Sequence, residues 1–192
     1  MTPTEPFEIH RITDQDLVSR WRPGFIGAYQ TIFAAEPYRE RFYPSEADST
    51  WRKLTGTPGH ITLVATQDDR LIGFAIAVPL HTQRSVMRVL GGLVPPHHTL
   101  YMAELGVLEA WRERGVATAL IRRRFELMDQ DRYSHVVTRV PATKSIAYDR
   151  YRRQGLEDMG VYMDVTSRRV DGSISSDRRL LLHGVLSQLH FG

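Results

Sequence analysis

The chain has 192 residues and 22.0 kDa, with 42% hydrophobic and 24% charged residues, which suits one globular domain and excludes wholesale disorder and fibrous repeats. No apolar run approaches the roughly 18 residues needed to span a bilayer, and MTPTEPFEIHRI lacks the basic-then-apolar pattern of a secretory signal, so a cytoplasmic setting is expected. There is no cysteine, which excludes disulfides, zinc–thiolate sites and a cysteine-acyl intermediate, and a net charge of +3 is a weak basis for nucleic-acid binding.

Residues 7–12 alternate apolar and polar as a half-buried strand does. From Thr13 the pattern becomes helical, with Leu17, Trp21, Phe25, Tyr29 and Phe33 at a four-residue spacing, and Pro23-Gly24 is expected to break or kink that helix. A second short helix is predicted from Ser45, carrying Trp51 and Leu54 and ending at Gly56. Strands are predicted at 60–67 and 70–79, with Asp68-Asp69 as their hairpin turn. Segment 81–98 mixes apolar residues with Gly91-Gly92 and Pro95-Pro96, a connection long enough to suggest a functional role. A strand is predicted at 99–107, with Leu105 and Val107 on one face and Glu104 and Gly106 on the other. A helix at about 115–130, a strand at 135–140 and a helix at 144–154 closing on Gly155 follow. Strands at 158–165 and 178–186 are predicted to flank a polar loop. No repeat or linker divides the chain, so one mixed α/β domain is expected.

The chemistry concentrates in 104–120, ELGVLEAWRERGVATAL. A strand ends, a short connection carries Arg112, Glu113 and Arg114, and a helix opens at Gly115, Val116, Ala117 and Thr118. The first N–H groups of a helix have no intrahelical partner and, with the helix dipole, make a seat for phosphate oxygens. The alternative is a small-residue helix start packed on a sheet. The arginines around 112–124 and 150–153 read either as solvated helix faces or as the surroundings of a polyanion.

This strand–loop–helix resembles the pyrophosphate loop of the GCN5-related N-acetyltransferase (GNAT) superfamily, where L-x-V leads to [Q/R]-x-x-G-x-[G/A]; the matching residues are Leu105, Gly106, Val107, Arg112, Gly115 and Ala117. A second family pattern follows in Lys144, Ala147, Tyr151, Gly155 and Leu156, with Lys144 where Asn is usual and Leu156 where Phe is usual. The resemblance covers roughly 60–165. It implies an α/β fold with a mixed, mostly antiparallel sheet of six to seven strands, splayed between strands 4 and 5 and flanked by about four helices. It also implies acetyl-CoA as co-substrate, held by residues 105–107 and 112–118 together with Lys144 and Ala147.

The implied reaction is acetyl transfer to an amine without a covalent enzyme intermediate, the acetyl oxygen held by backbone N–H groups near Leu105 to Val107. A lysine-like amine with pKa ~10.4 costs about 4–5 kcal/mol to deprotonate at neutral pH, so a general base is needed. Glu104 is the candidate, its pKa raised by partial burial in an apolar strand; the alternative is an ion pair with a nearby arginine. The resemblance gives Tyr151 the proton for the departing thiolate, the alternative being a half-buried core tyrosine. No metal is expected, because the eight histidines are scattered.

The resemblance places the acceptor among the first helices, the 81–98 connection and the splayed strands. Phe33, Glu36, Tyr38, Glu40, Phe42 and Trp51 are the candidate lining, aromatics and carboxylates that suit a cationic amine; the same residues could instead be an interhelix loop with core aromatics. The expected partners are acetyl-CoA and a small amine, with no nucleic acid and no membrane, and a homodimer is allowed for. A protein-lysine or N-terminal acetyltransferase and a non-catalytic acyl-CoA-binding regulator are the alternatives.

Overall fold

The computed structural model describes residues 7–143 and 145–190. Its elements are β1 (Glu8–Arg11), α1 (Gln15–Ala34), α2 (Pro44–Thr55), β2 (Ile61–Gln67), β3 (Arg70–Pro79), α3 (Arg84–Leu90), β4 (Thr99–Val107), α4 (Val116–Glu126), β5 (His135–Pro141), α5 (Ile146–Arg153), β6 (Glu157–Arg168) and β7 (Ile174–Val185). The seven strands form one mixed sheet in the order β1-β2-β3-β4-β5-β7-β6. The predicted α/β fold is present, with five α-helices among the described residues rather than about four. The chain condenses into two compact units.

The first unit comprises 7–76, 104–127 and 168–173. β1 pairs antiparallel with β2, from Glu8↔Thr66 to Arg11↔Leu63. Asp68 and Asp69 turn the β2–β3 hairpin with φ +47° and +58°, the left-handed pair that a two-residue turn between twisted strands requires and that aspartate tolerates. Asp14 caps α1, its carboxylate accepting from the Leu17 N–H at 2.9 Å.

The expected break at Pro23-Gly24 does not occur, and α1 runs unbroken from Gln15 to Ala34. Proline removes one backbone bond, but Trp21, Phe25, Tyr29 and Phe33 are all buried along one face and hold the helix down. Gly24 is explained by packing: a Cβ there would lie 3.1 Å from the Leu71 Cβ. α2 starts at Pro44, one residue before the prediction, where proline's fixed φ suits a helix start. The Glu46 carboxylate accepts from the Tyr43 N–H at 2.7 Å.

The second unit comprises 77–103, 128–143, 145–167 and 174–190. β4 and β5 run parallel, from Thr99↔His135 to Met102↔Thr138. β5 and β7 run antiparallel, from His135↔Val185 to Pro141↔Arg179. The opaque 81–98 segment contains α3, which buries Val86 and Leu90 and ends at Gly91 with φ +55°. Prediction missed this helix because it is short and carries only a few apolar anchors. β6 and β7 are each 12 residues long, so most of the predicted polar loop is strand. Their outer portions alternate exposed and half-buried polar side chains, a pattern with too little apolar signal to read as strand.

Half-buried histidines, His60 and His183 among them, give the fold a pH dependence. His60 accepts or donates to Thr62 Oγ1 at 2.9 Å, and burial pushes its pKa below the usual histidine range, with Arg11 adding to the effect. His183 shares a hydrogen bond with His135 at 2.9 Å, and burial lowers it too, the charge of His135 adding and Glu157 opposing. The folded chain therefore resists protons that the unfolded chain takes up below about pH 6.5, so stability falls as pH drops through that value. The urea midpoint is expected to fall between about pH 7.5 and 5.5, and less steeply in a His183→Gln variant. A midpoint independent of pH over that range would contradict this.

Candidate active site

In the first unit, β4 delivers the chain to a tight loop. Past Val107, the Leu108 N–H donates to the Ile72 carbonyl at 2.9 Å, and a single 3₁₀ turn at Glu109–Trp111 follows. Glu113 and Gly115 then take φ +62° and +82°. Gly115 is the N-cap of α4, and the bond from the Ala119 N–H to its carbonyl, 2.9 Å, begins the helical ladder. The N–H groups of Val116, Ala117 and Thr118 precede that ladder and have no intrahelical acceptor. A glycine cap supplies no side-chain acceptor, and no acidic residue occupies the first turn.

The requirement at Gly115 is conformational. A Cβ built there would meet nothing within 4 Å, whereas φ +82° lies in the left-handed region that side chains disfavour. Gly106 is the opposite case: a Cβ would stand 2.7 Å from the Phe74 ring and 3.1 Å from Ile32. Val107 packs with Val116 and Leu120 in a buried cluster that Leu105, Trp111 and Ala117 join from its edge. The Arg112 Nε donates to the Val107 carbonyl at 3.4 Å, and the Arg114 guanidinium lies 5.1 Å over the Trp111 ring. Arg112 and Arg114 both lie on the approach to the helix start, and the N–H groups there suit the diphosphate of a nucleotide-bearing thioester. Glu113 and Thr118 are exposed beside them.

Glu104 is half-buried on β4, and strand alternation puts it on the face of Gly106. Its carbonyl accepts from Arg124 Nη1 at 3.2 Å. Arg124, on α4, is fully buried.

The second unit carries Tyr151 on α5, 4% exposed, and half-buried Ala147 one turn earlier. Ser145 caps α5, its Oγ accepting from the Tyr148 N–H at 3.2 Å. Gly155 ends the segment with φ +95°, and fully buried Leu156 follows. Lys144 lies outside the described residues.

The acceptor candidates divide. Phe33 packs 4.5 Å from Tyr29, 5.1 Å from Tyr38 and 5.8 Å from Phe42 between ring centroids. Trp51 is 0% exposed, and its Nε1 donates to the Val18 carbonyl at 3.1 Å. It packs 4.7 Å from Phe25, so the structure corrects its candidacy: Trp51 is a core residue joining α2 to α1. Glu36 is exposed and lies 3.6 Å from the Arg39 guanidinium. Tyr38 is half-buried and Glu40 buried.

The sequence reading missed what covers this loop. Residues 168–173, between β6 and β7, are stitched to 38–46. The Arg41 N–H donates to the Arg168 carbonyl at 2.7 Å and the Val170 N–H to the Arg39 carbonyl at 3.0 Å. Arg169 donates to the Tyr38 carbonyl, and the Arg168 guanidinium sits 4.8 Å over Tyr43. Pairing over such a sequence separation leaves no local signal. Arg124 did leave one, an arginine among buried Leu120, Ile121 and Phe125 at helical spacing.

Among the described residues no cluster of His, Asp and Glu could hold a metal, and no helix is long and apolar enough to cross a membrane. Residues 23–156 match the sequence model of the acetyltransferase (GNAT) family. The chain belongs to this family, and is therefore an acyltransferase.

No curated protein sequence matches this GNAT chain. Its fold is similar to that of a ribosomal-protein-alanine N-acetyltransferase from Brucella melitensis, with TM-score 0.64, 15% identity, and 93% of this chain and 99% of that one covered. The ribosomal-protein-S18-alanine N-acetyltransferase from Escherichia coli has TM-score 0.62, 13% identity and 94% coverage of each chain. Arabidopsis thaliana NAA60, solved with a bisubstrate analogue, has TM-score 0.61, 16% identity, and coverages of 94% and 98%.

Because Gly115 is needed for its φ, Gly115→Ala is expected to lower stability by about 1–2 kcal/mol without a steric clash, measured by urea unfolding. Unchanged stability would mean that the loop relaxes to an ordinary φ at no cost.

Proposed function

We propose that this GNAT chain, read as one domain, transfers the acetyl group of acetyl-CoA to a primary amine on a small molecule. The observation that carries the reading is the start of α4, where a positive-φ glycine leaves three N–H groups without a helical acceptor just after Arg112 and Arg114 in the chain. Charge-assisted hydrogen bonds of this kind contribute on the order of 1.5–3 kcal/mol each. Val116, Ala117 and Thr118 would hold the diphosphate through their backbones, and Leu105 and Val107 the amides of the pantetheine arm, as an added strand would.

When bound, acetyl-CoA supplies an activated thioester. Glu104 takes the proton of the acceptor ammonium, directly or through a water, which offsets the cost of producing the free amine. The amine nitrogen then attacks the acetyl carbonyl, whose oxygen the β4 backbone N–H groups stabilise. Tyr151 gives a proton to the departing sulfur, its phenol being a competent donor with pKa ~10 against ~8.5 for a thiol, and the proton remaining on the attacking nitrogen leaves to water as the amide forms. Without cysteine in the chain, no cysteine-acyl step is available.

For the acceptor, a small amine is supported by the stitching of 168–173 to 38–46, which occupies the α1–α2 loop with the chain's own backbone. Glu36 adds an exposed carboxylate and Tyr38 a half-buried ring, a combination suited to a cationic amine. A protein N-terminus is the second reading, favoured by the names of the Brucella, Escherichia and Arabidopsis structures.

Release of CoA thiol against a panel of polyamines, aminoglycosides, amino-acid derivatives and N-terminal peptides distinguishes these. Turnover of a small amine above all peptides supports the first reading, peptide preference the second, and CoA binding without turnover contradicts both. Tyr151→Phe is expected to lower kcat about 10–100-fold with the KM for acetyl-CoA within about threefold; an unchanged kcat would assign the proton to another donor. Gly115→Val is expected to weaken CoA binding at least about tenfold by calorimetry, since a β-branched residue resists the αL conformation.

A further inference from the structure

We infer that Arg124 is a positioning residue for the transfer step, one that ties the β4 backbone at Glu104 to α4. The inference rests on the proposed role of Glu104. α4 begins at the candidate phosphate seat, and Arg124 lies about 12 Å further along it, at a rise of about 1.5 Å per residue. Its neighbours on the same helix face, Leu120, Ile121 and Phe125, are buried and apolar.

Arg124 itself is 0% exposed. Its Nη1 donates to the Glu104 carbonyl at 3.2 Å and to the Ile76 carbonyl at 3.4 Å, so one guanidinium nitrogen grips backbone oxygens on both β4 and β3. Burying a guanidinium is costly, and an apolar side chain of similar volume would fill the space more cheaply. What an apolar side chain cannot do is orient two carbonyls. Fixing the Glu104 carbonyl fixes its peptide plane, and with it the direction in which the carboxylate leaves β4. An error of about 1 Å in such a group costs on the order of a hundredfold in rate.

Arg124 therefore holds two parts of the proposed machinery in one frame, the helix that seats the phosphates and the strand residue that takes the amine proton. Its loss affects the two differently. The N–H groups at the start of α4 belong to the helix backbone, and Gly115 with the Val116 and Leu120 packing holds them in place. Glu104 depends on the β4 backbone for its orientation, and the Arg124 bond acts on that backbone at Glu104 itself.

The test is the kinetics of Arg124→Met and Arg124→Lys beside CoA affinity measured by calorimetry, each variant first shown to be folded by circular dichroism. For Arg124→Met, kcat is expected to fall at least about tenfold while the Kd for CoA stays within about threefold, with part of the loss restored in Arg124→Lys. Wild-type kcat in folded Arg124→Met, or a parallel loss of kcat and CoA affinity, would overturn the inference. Should Arg124→Met not fold, Arg124→Gln, which keeps one donor, carries the same comparison. Glu104→Gln separates the two claims: wild-type kcat there refutes the base assignment itself, whatever Arg124 does.

Discussion

A helix cannot satisfy its own first N–H groups, and the start of α4 leaves that deficit without a side-chain cap. Gly115 brings no acceptor, the first turn has no carboxylate, and Arg112 and Arg114 add positive charge on the approach. Nearly every special feature around the loop serves this arrangement. Glu113 and Gly115 take left-handed conformations to aim the chain into the helix, and the Leu108–Ile72 bond holds the loop to β3. Val116 and Leu120 anchor the helix on Val107, Ala75 and Leu63. Under the proposed function, these N–H groups are the seat of the anion.

The side of the unit bearing α1 is built on a different principle. An aromatic row runs from Trp51 through Phe25 and Tyr29 to Phe33 and Tyr38. At its far end the 168–173 segment is fastened by backbone hydrogen bonds and by Arg168 over Tyr43. The aromatic row gives the α1–α2 loop a stiff floor, and the fastened segment limits how far that loop can open.

Much of this was legible in the sequence because its signals are local. β3 and β4 have their predicted bounds, since the Asp-Asp turn and the alternating apolar positions are read within a few residues. The start of a helix at Gly115 was legible for the same reason, its signal lying in a few consecutive residues. What failed was decided at a distance. Pro23-Gly24 has the local signal of a break, but four buried aromatic anchors and a close approach to Leu71 override it. Trp51 looked like an amine contact by residue type, and its place in the core depends on α1 packing across it. The outer half of the β6–β7 hairpin is polar enough to pass for loop, and its strands form through pairing rather than propensity.

The central claim is that the diphosphate of CoA binds to the backbone at the start of α4. The most direct measurement is a titration of the isotopically labelled protein with CoA, followed through its backbone amide resonances. The expected result is that the Val116, Ala117 and Thr118 amide protons move downfield together and saturate with a single affinity. Saturable binding that leaves those three resonances in place would contradict it.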